Sequence, residues 1–227
     1  MQKEKLMGNI GKNYIYTLFF NLNLTRGLWM IYLAGKGFSL LELGIFEGTF
    51  HAASFLMEVP TGVVADLWGR KTSRLCGRVM FLLSLFIMLL SENFYIQLSG
   101  FILCAMGYNL ESGAGEALVY DSLLLSGKEE KYKSVAGKQE LILQCGFISS
   151  YIIGGYLAVK SFPAVFIMSM IFAAASFLTA LAFIEPVISS NKSGKVIFSL
   201  SDIASSMFNQ TRESILVIKR RPRIAFL

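Results

Sequence analysis

The chain has 227 residues, 54% of them hydrophobic and only 16% charged, with a formal net charge of +6. Soluble domains carry about a quarter charged residues, so the deficit excludes an ordinary soluble domain and points to an all-α membrane protein. In a soluble protein this basic balance would suggest nucleic acid; here the basic residues lie in short clusters between apolar runs, so topology explains them and no nucleic-acid partner is expected.

A helix needs about 20 apolar residues to cross a bilayer. Six segments qualify: 14–34, 40–65, 75–91, 94–125, 135–159 and 162–184. The first is long and no small-residue cleavage pattern follows it, so it reads as a span rather than a removable signal peptide. Cys76, Cys104 and Cys145 fall in or beside apolar runs without metal-ligand spacing and read as small packing residues. Tyr14, Tyr16, Trp29, Tyr32, Trp68, Tyr95 and Tyr132 mostly fall near predicted interfaces, as belt aromatics do. Trp29 stands out because it lies a helical turn from Arg26.

Charge sets the orientation. Clusters before the first segment (Lys3, Lys5, Lys12), around the second connection (Arg70, Lys71, Arg74, Arg78), around the fourth and after the sixth hold 18 of the 21 basic residues, all on one side. Lys36 and Lys160 fall on the other side, and Arg26 lies within a segment. Basic short loops stay in the cytoplasm, so a multi-pass protein of the inner (plasma) membrane with both termini cytoplasmic is expected. Residues 1–185 are then a six-helix transmembrane bundle, with the lipid bilayer as its first partner. Residues 186–223 are a cytoplasmic linker in which Leu200, Ile203, Met207, Thr211, Ile215 and Ile218 recur at helical steps. They describe an amphipathic helix at the membrane surface, or a solvated linker with one apolar face. Residues 224–227, after a basic cluster, look like the start of a seventh transmembrane helix that is cut off.

Between the second and third segments stands Gly62-Val63-Val64-Ala65-Asp66-Leu67-Trp68-Gly69-Arg70-Lys71. Gly62 would let the second helix end close against a neighbour, and Gly69 permits a tight reversal. Asp66 is an anion near helix ends, where Arg70 or a helix N-terminus can hold it. Topology alone would explain Arg70, Lys71 and Arg74, but not Asp66 and both glycines at these spacings. The stretch matches G-x-x-x-D-x-x-G-R-K and resembles motif A of the major facilitator superfamily, in the cytoplasmic loop where that family carries it. Glu58-Val59-Pro60-Thr61-Gly62 and the run from Ser112 to Leu123 resemble a prokaryotic subgroup of drug and metabolite transporters. The resemblance implies one six-helix half (3+3 helices) of the fold and a cytoplasmic gate built from Gly62, Asp66, Gly69, Arg70 and Lys71, stabilising the outward-facing state. Two departures matter. Many members carry a basic residue in a second motif on helix four, where this chain has Glu111 and Glu116. Drug antiporters carry a Gly- and Pro-rich motif on helix five; here Gly146 and Gly154-Gly155 remain without the proline, so that motif gives no support for antiport.

Ionisable residues within a span cost at least a few kcal/mol and default to a functional role. Glu47, His51, Ser54 and Glu58 are spaced to form one stripe. Arg26, His51 and Glu111 fall near mid-segment and are expected at one depth around a central cavity. Arg26, Glu47, His51, Glu111 and Glu116 are therefore candidates for a substrate and proton site, with Arg26 neutralised by Glu47 or Glu111; a static, fully paired cluster is the structural alternative. One histidine cannot build a usual zinc site and no Gly-rich phosphate loop follows a strand, so neither an enzyme nor a cofactor is expected.

The function expected is transport of a small solute, coupled to protons through a buried carboxylate near His51, by the N-terminal half of a secondary transporter. Its partners would be a small-molecule substrate, protons and a second half, whether a missing C-terminal half, a split subunit or a second copy. The alternative is a non-transporting fragment, or a membrane scaffold or regulator that reuses the half-fold.

Overall fold

The computed structural model describes residues 2–186. They form helices α1 (Gln2–Asn21), α2 (Trp29–Gly35), α3 (Leu40–Trp68), α4 (Arg70–Leu90) and α5 (Phe94–Ser126), a 3-10 turn (Glu129–Lys131), then α6 (Tyr132–Lys160) and α7 (Phe162–Leu181). The expected amphipathic linker helix and the start of a seventh span lie outside the described residues. By length and composition three described helices are apolar enough to cross a membrane: α4, α6 with its preceding turn, and α7. α3 and α5 are long enough but carry carboxylates and amides, among them Glu47, Glu58, Gln97, Asn109 and Glu111.

Helix starts follow local chemistry. Ser39 and Glu42 close a capping box on α3, the Ser39 hydroxyl accepting from the Glu42 amide at 3.3 Å and the Glu42 carboxylate accepting from the Ser39 amide at 2.8 Å. Asn93 caps α5 through its side-chain oxygen, and Ser161 caps α7 ahead of Pro163. Lys36 donates to the Leu89 and Ser91 carbonyls at 2.6 and 3.1 Å, placing a cation on the C-terminus of α4. Burial holds the Lys36 ammonium below its ordinary range, and the charge of Glu92 opposes that shift.

The bundle is built around α1 and α5. α5 packs on α3, α4 and α1, while α1 also packs on α6 and α7, and α4 packs on α7. α4 and α5 cross where Gly77 faces Gly107: a Cβ on either would stand 2.8 Å from the other's carbonyl oxygen. Gly107→Ala is expected to lower the thermal midpoint in detergent, by overpacking of about 1–3 kcal/mol. Gly113→Ala, where an added methyl meets nothing within 4 Å, is expected to leave it unchanged or raise it.

The segment expected as one helix over 14–34 is two, broken at residues 22–28. Backbone groups away from water need partners, and the break supplies them. Asn23 Oδ1 accepts from the Thr25 amide and hydroxyl at 3.2 and 2.7 Å, and the Leu24 amide donates to the Ser169 hydroxyl at 3.0 Å. Glycine in α6 lets the broken chain approach, since a Cβ on Gly154 would lie 2.9 Å from the Leu24 carbonyl oxygen. Gly62 behaves differently from expectation: it lies inside α3, and among the described residues nothing stands within 4 Å of its missing Cβ.

Candidate functional site

Three features succeed one another along α4 and α5. The first is the turn between α3 and α4. Gly69 alone separates the two helices and has φ of 92°, a conformation that L side chains resist. Arg70 Nη1 contacts Asp66 Oδ1 at 2.7 Å across the Gly69 turn, and Arg70 Nε lies 3.9 Å from Asp121 Oδ2 on α5. The Glu185 carboxylate, arriving after α7, accepts from the Arg70 and Lys71 amides at 2.6 and 2.8 Å. It thus caps the N-terminus of α4, where free amides and the helix dipole favour an anion. The Lys71 ammonium donates to the Leu181 carbonyl at 2.7 Å. α3, α4, α5 and the end of α7 are therefore tied at one point.

One turn into the bundle lies a buried ion pair. Arg74, 1% exposed, makes a two-pronged contact with Glu111, Nη2 to Oε1 at 2.8 Å and Nε to Oε2 at 3.0 Å. Its Nη1 donates to Asn13 Oδ1 at 2.8 Å, and Asn13 in turn donates to Gln139 at 2.9 Å. The Tyr16 hydroxyl donates to Glu111 Oε2 at 2.6 Å, and the Arg74 guanidinium lies 3.8 Å from the Tyr16 ring centre. This fork-on-fork geometry is the strong form of such a pair.

Deeper still is a cavity of about 320 Å³, within the range of small-molecule sites. Arg26, from the break after α1, and Glu47 from α3 stand in its wall among Trp29, Phe50, Phe81 and Phe101. Arg26 Nη2 donates to the Tyr108 hydroxyl at 3.2 Å, and Asn23 donates to the same oxygen at 3.0 Å. The Arg26 guanidinium also stacks 4.1 Å from the centre of the Phe147 ring.

The predicted site residues thus separate into groups. Arg26 and Glu47 share the cavity, but Arg26 has neither expected carboxylate partner: Glu111 is held by Arg74, and no described carboxylate lies within 4 Å of Arg26. His51 touches Glu47 at 3.1 Å but is exposed and outside the cavity wall. Ser54 turns to Asn109, donating to it at 2.8 Å, and Glu58 and Glu116 are exposed. Asp66 and Arg70 pair as expected. Arg74 and Arg78, expected as loop charges, are buried in α4, and Tyr16, expected at an interface, is 1% exposed. Unforeseen functional groups are Asn13, Tyr16, Arg74, Tyr108, Asp121 and Glu185. For the first, a signal was available: Asn9, Asn13, Thr17 and Asn21 recur every four residues along α1, a polar stripe at helical spacing. Among the described residues no group of three or more His, Cys, Asp or Glu is arranged to hold a metal.

Comparison with known proteins adds the following. Residues 15–226 match the family model described as Major Facilitator Superfamily. An uncharacterized MFS-type transporter, YxaM of Bacillus subtilis strain 168, is 24% identical over 216 residues, covering 89% of this chain and 53% of that protein. Quinolone resistance protein NorA of Staphylococcus aureus strain Mu50 is 23% identical over 180 residues, 79% of this chain and 45% of its own. NorA of strain MRSA252 is 26% identical over 174 residues, 77% and 42% respectively. The chain spans about half the length of the curated relatives it matches.

Proposed function

The chain belongs to the Major Facilitator Superfamily, and we propose that it acts as the N-terminal half of a secondary transporter that carries a small solute across the plasma membrane by alternating access. The observation that carries this reading is the stacking of a clamped turn at Gly69, a buried ion pair and a polar-aromatic cavity along one path. In this reading α1 with α2, α3 and α5 are the three further spans, and both chain ends lie on the cytoplasmic side. The turn is the cytoplasmic gate: Arg70 between Asp66 and Asp121, with Glu185 on the first amides of α4, holds the helix ends together in the outward-facing state. The solute binds in the cavity, near mid-membrane as in secondary transporters generally. Proton exchange falls to Glu47 with His51, which are in contact on the exposed face of α3, because Glu111 is committed to Arg74. A second six-helix half completes the path and covers exposed apolar faces such as Phe55 and Leu56 on α3. No catalytic step is assigned.

Cys104 lines the cavity and reports on the gate. In a Cys76→Ser, Cys145→Ser background, with the second half present, Asp66→Asn is expected to speed alkylation of Cys104 by an impermeant maleimide applied from the cytoplasmic side. The gain is up to about fivefold, the shift a half-exposed ion pair of about 0.2–1 kcal/mol allows. An unchanged rate would remove the gate from this reading.

A further inference from the structure

The charges around the cavity do not balance. Arg26 stands in the wall with a neutral phenol as its hydrogen-bond partner and no described carboxylate within 4 Å. Arg78 lies behind the same wall, 1% exposed, its guanidinium 4.8 Å from the Phe81 ring centre on one side and 4.0 Å from that of Phe20 on the other. Its Nε and Nη2 have no hydrogen-bond partner among the described residues. Phe81 is thus at once the cavity wall and the surface on which this second cation rests. Against these two guanidiniums the wall offers one carboxylate, Glu47, and that one is in contact with His51 at 3.1 Å. In an apolar interior such an excess is weakly screened, so the cavity repels a cation and attracts an anion.

The remaining walls say what kind of anion. A guanidinium matches the fork of a carboxylate, and aromatic rings around it suit an apolar body. A dianion is disfavoured, because only Arg26 of the two cations reaches the cavity and Glu47 stands in the same wall. We propose that the cavity binds an organic monoanion, an aryl or alkyl carboxylate or sulfonate, with its charge on Arg26 and its body against Trp29, Phe50, Phe81 and Phe101. This rests on the transporter reading and names the class of its solute.

The chain has two tryptophans, so Trp68→Phe leaves Trp29, in the cavity wall, as the single reporter. The purified Trp68→Phe chain in detergent is titrated with three probes of one shape, 4-phenylbutyrate, 4-phenylbutyramide and 4-phenylbutylammonium, while Trp29 fluorescence is followed. A saturable change with the carboxylate is expected, at about tenfold or more higher affinity than with the amide, and none with the ammonium. Arg26→Gln is expected to remove that advantage and Arg26→Lys to restore part of it, each variant first shown to elute as a folded, monodisperse species. Equal affinity for amide or ammonium, undiminished carboxylate binding by Arg26→Gln, or no saturation with any probe would each overturn the proposal. These are equilibrium binding readouts independent of the gate: a preference for the ammonium leaves a transporter with another solute, whereas failure of Cys104 labelling to respond to Asp66→Asn bears on the gate alone.

Discussion

Glu111→Ala is expected to destabilise the folded chain by about 3–5 kcal/mol, the cost of leaving a buried charge without its partner. Arg74 is 1% exposed, and Glu111 meets it with both oxygens at 2.8 and 3.0 Å. Removing the carboxylate leaves the guanidinium with Asn13 and an aromatic face, and also strands the Tyr16 hydroxyl. Glu111→Gln keeps the shape and an acceptor but not the charge, so it should fall between wild type and alanine. The double variant Arg74→Met, Glu111→Leu is expected to lose less than either Arg74→Met or Glu111→Ala alone, since it buries no unpaired charge. Thermal inactivation in detergent, read as the monodisperse fraction left after heating, checks all four. Single variants within about 1 kcal/mol of wild type would show that the pair does not carry the stability assigned to it.

Gly69→Ala is expected to cost about 1–3 kcal/mol from backbone strain alone, because its φ is 92°. A second penalty follows from position. The new methyl would lie 2.7 Å from the Glu185 carboxylate carbon and 2.8 Å from Oε1. Either the carboxylate leaves the first amides of α4 or α3 and α4 separate, and loss of a cap costs about another 1 kcal/mol. Glu185→Ala in the Gly69 background isolates the second part. If Gly69→Ala and Glu185→Ala destabilise equally in the same heating assay, strain at Gly69 contributes nothing.

The helices and the contact of Asp66 with Arg70 were legible because they obey linear rules. Five of the six apolar segments coincide with continuous helices to within a few residues, and the contact of Asp66 with Arg70 is one of the two arrangements read from an anion placed near helix ends. What was not legible depends on contacts distant in sequence. Counting basic residues into loops misplaced Arg74 and Arg78, because α4 starts at Arg70 with no loop before it and carries both inward. Their burial is settled by Glu111 and the rings of Tyr16 and Phe20. The cap on α4 comes from Glu185, 115 residues away. Arg26 was placed correctly in the cavity but assigned the wrong neighbour, since depth along a helix does not say which way a side chain turns.

The polar stripe of α1 has a consequence for how the protein is made. Asn9, fully buried, donates to the Ser122 hydroxyl at 3.0 Å and to the Ile184 carbonyl at 2.7 Å, partners 113 and 175 residues further along the chain. At a synthesis rate of about 5–20 residues per second, the last of them is made roughly 9–35 s after Asn9. Throughout that interval α1 presents a buried-site amide whose partners have not yet been made. The seating of α1 against α5 and α7 is therefore a late event in folding, completed only when the end of α7 has been delivered to it.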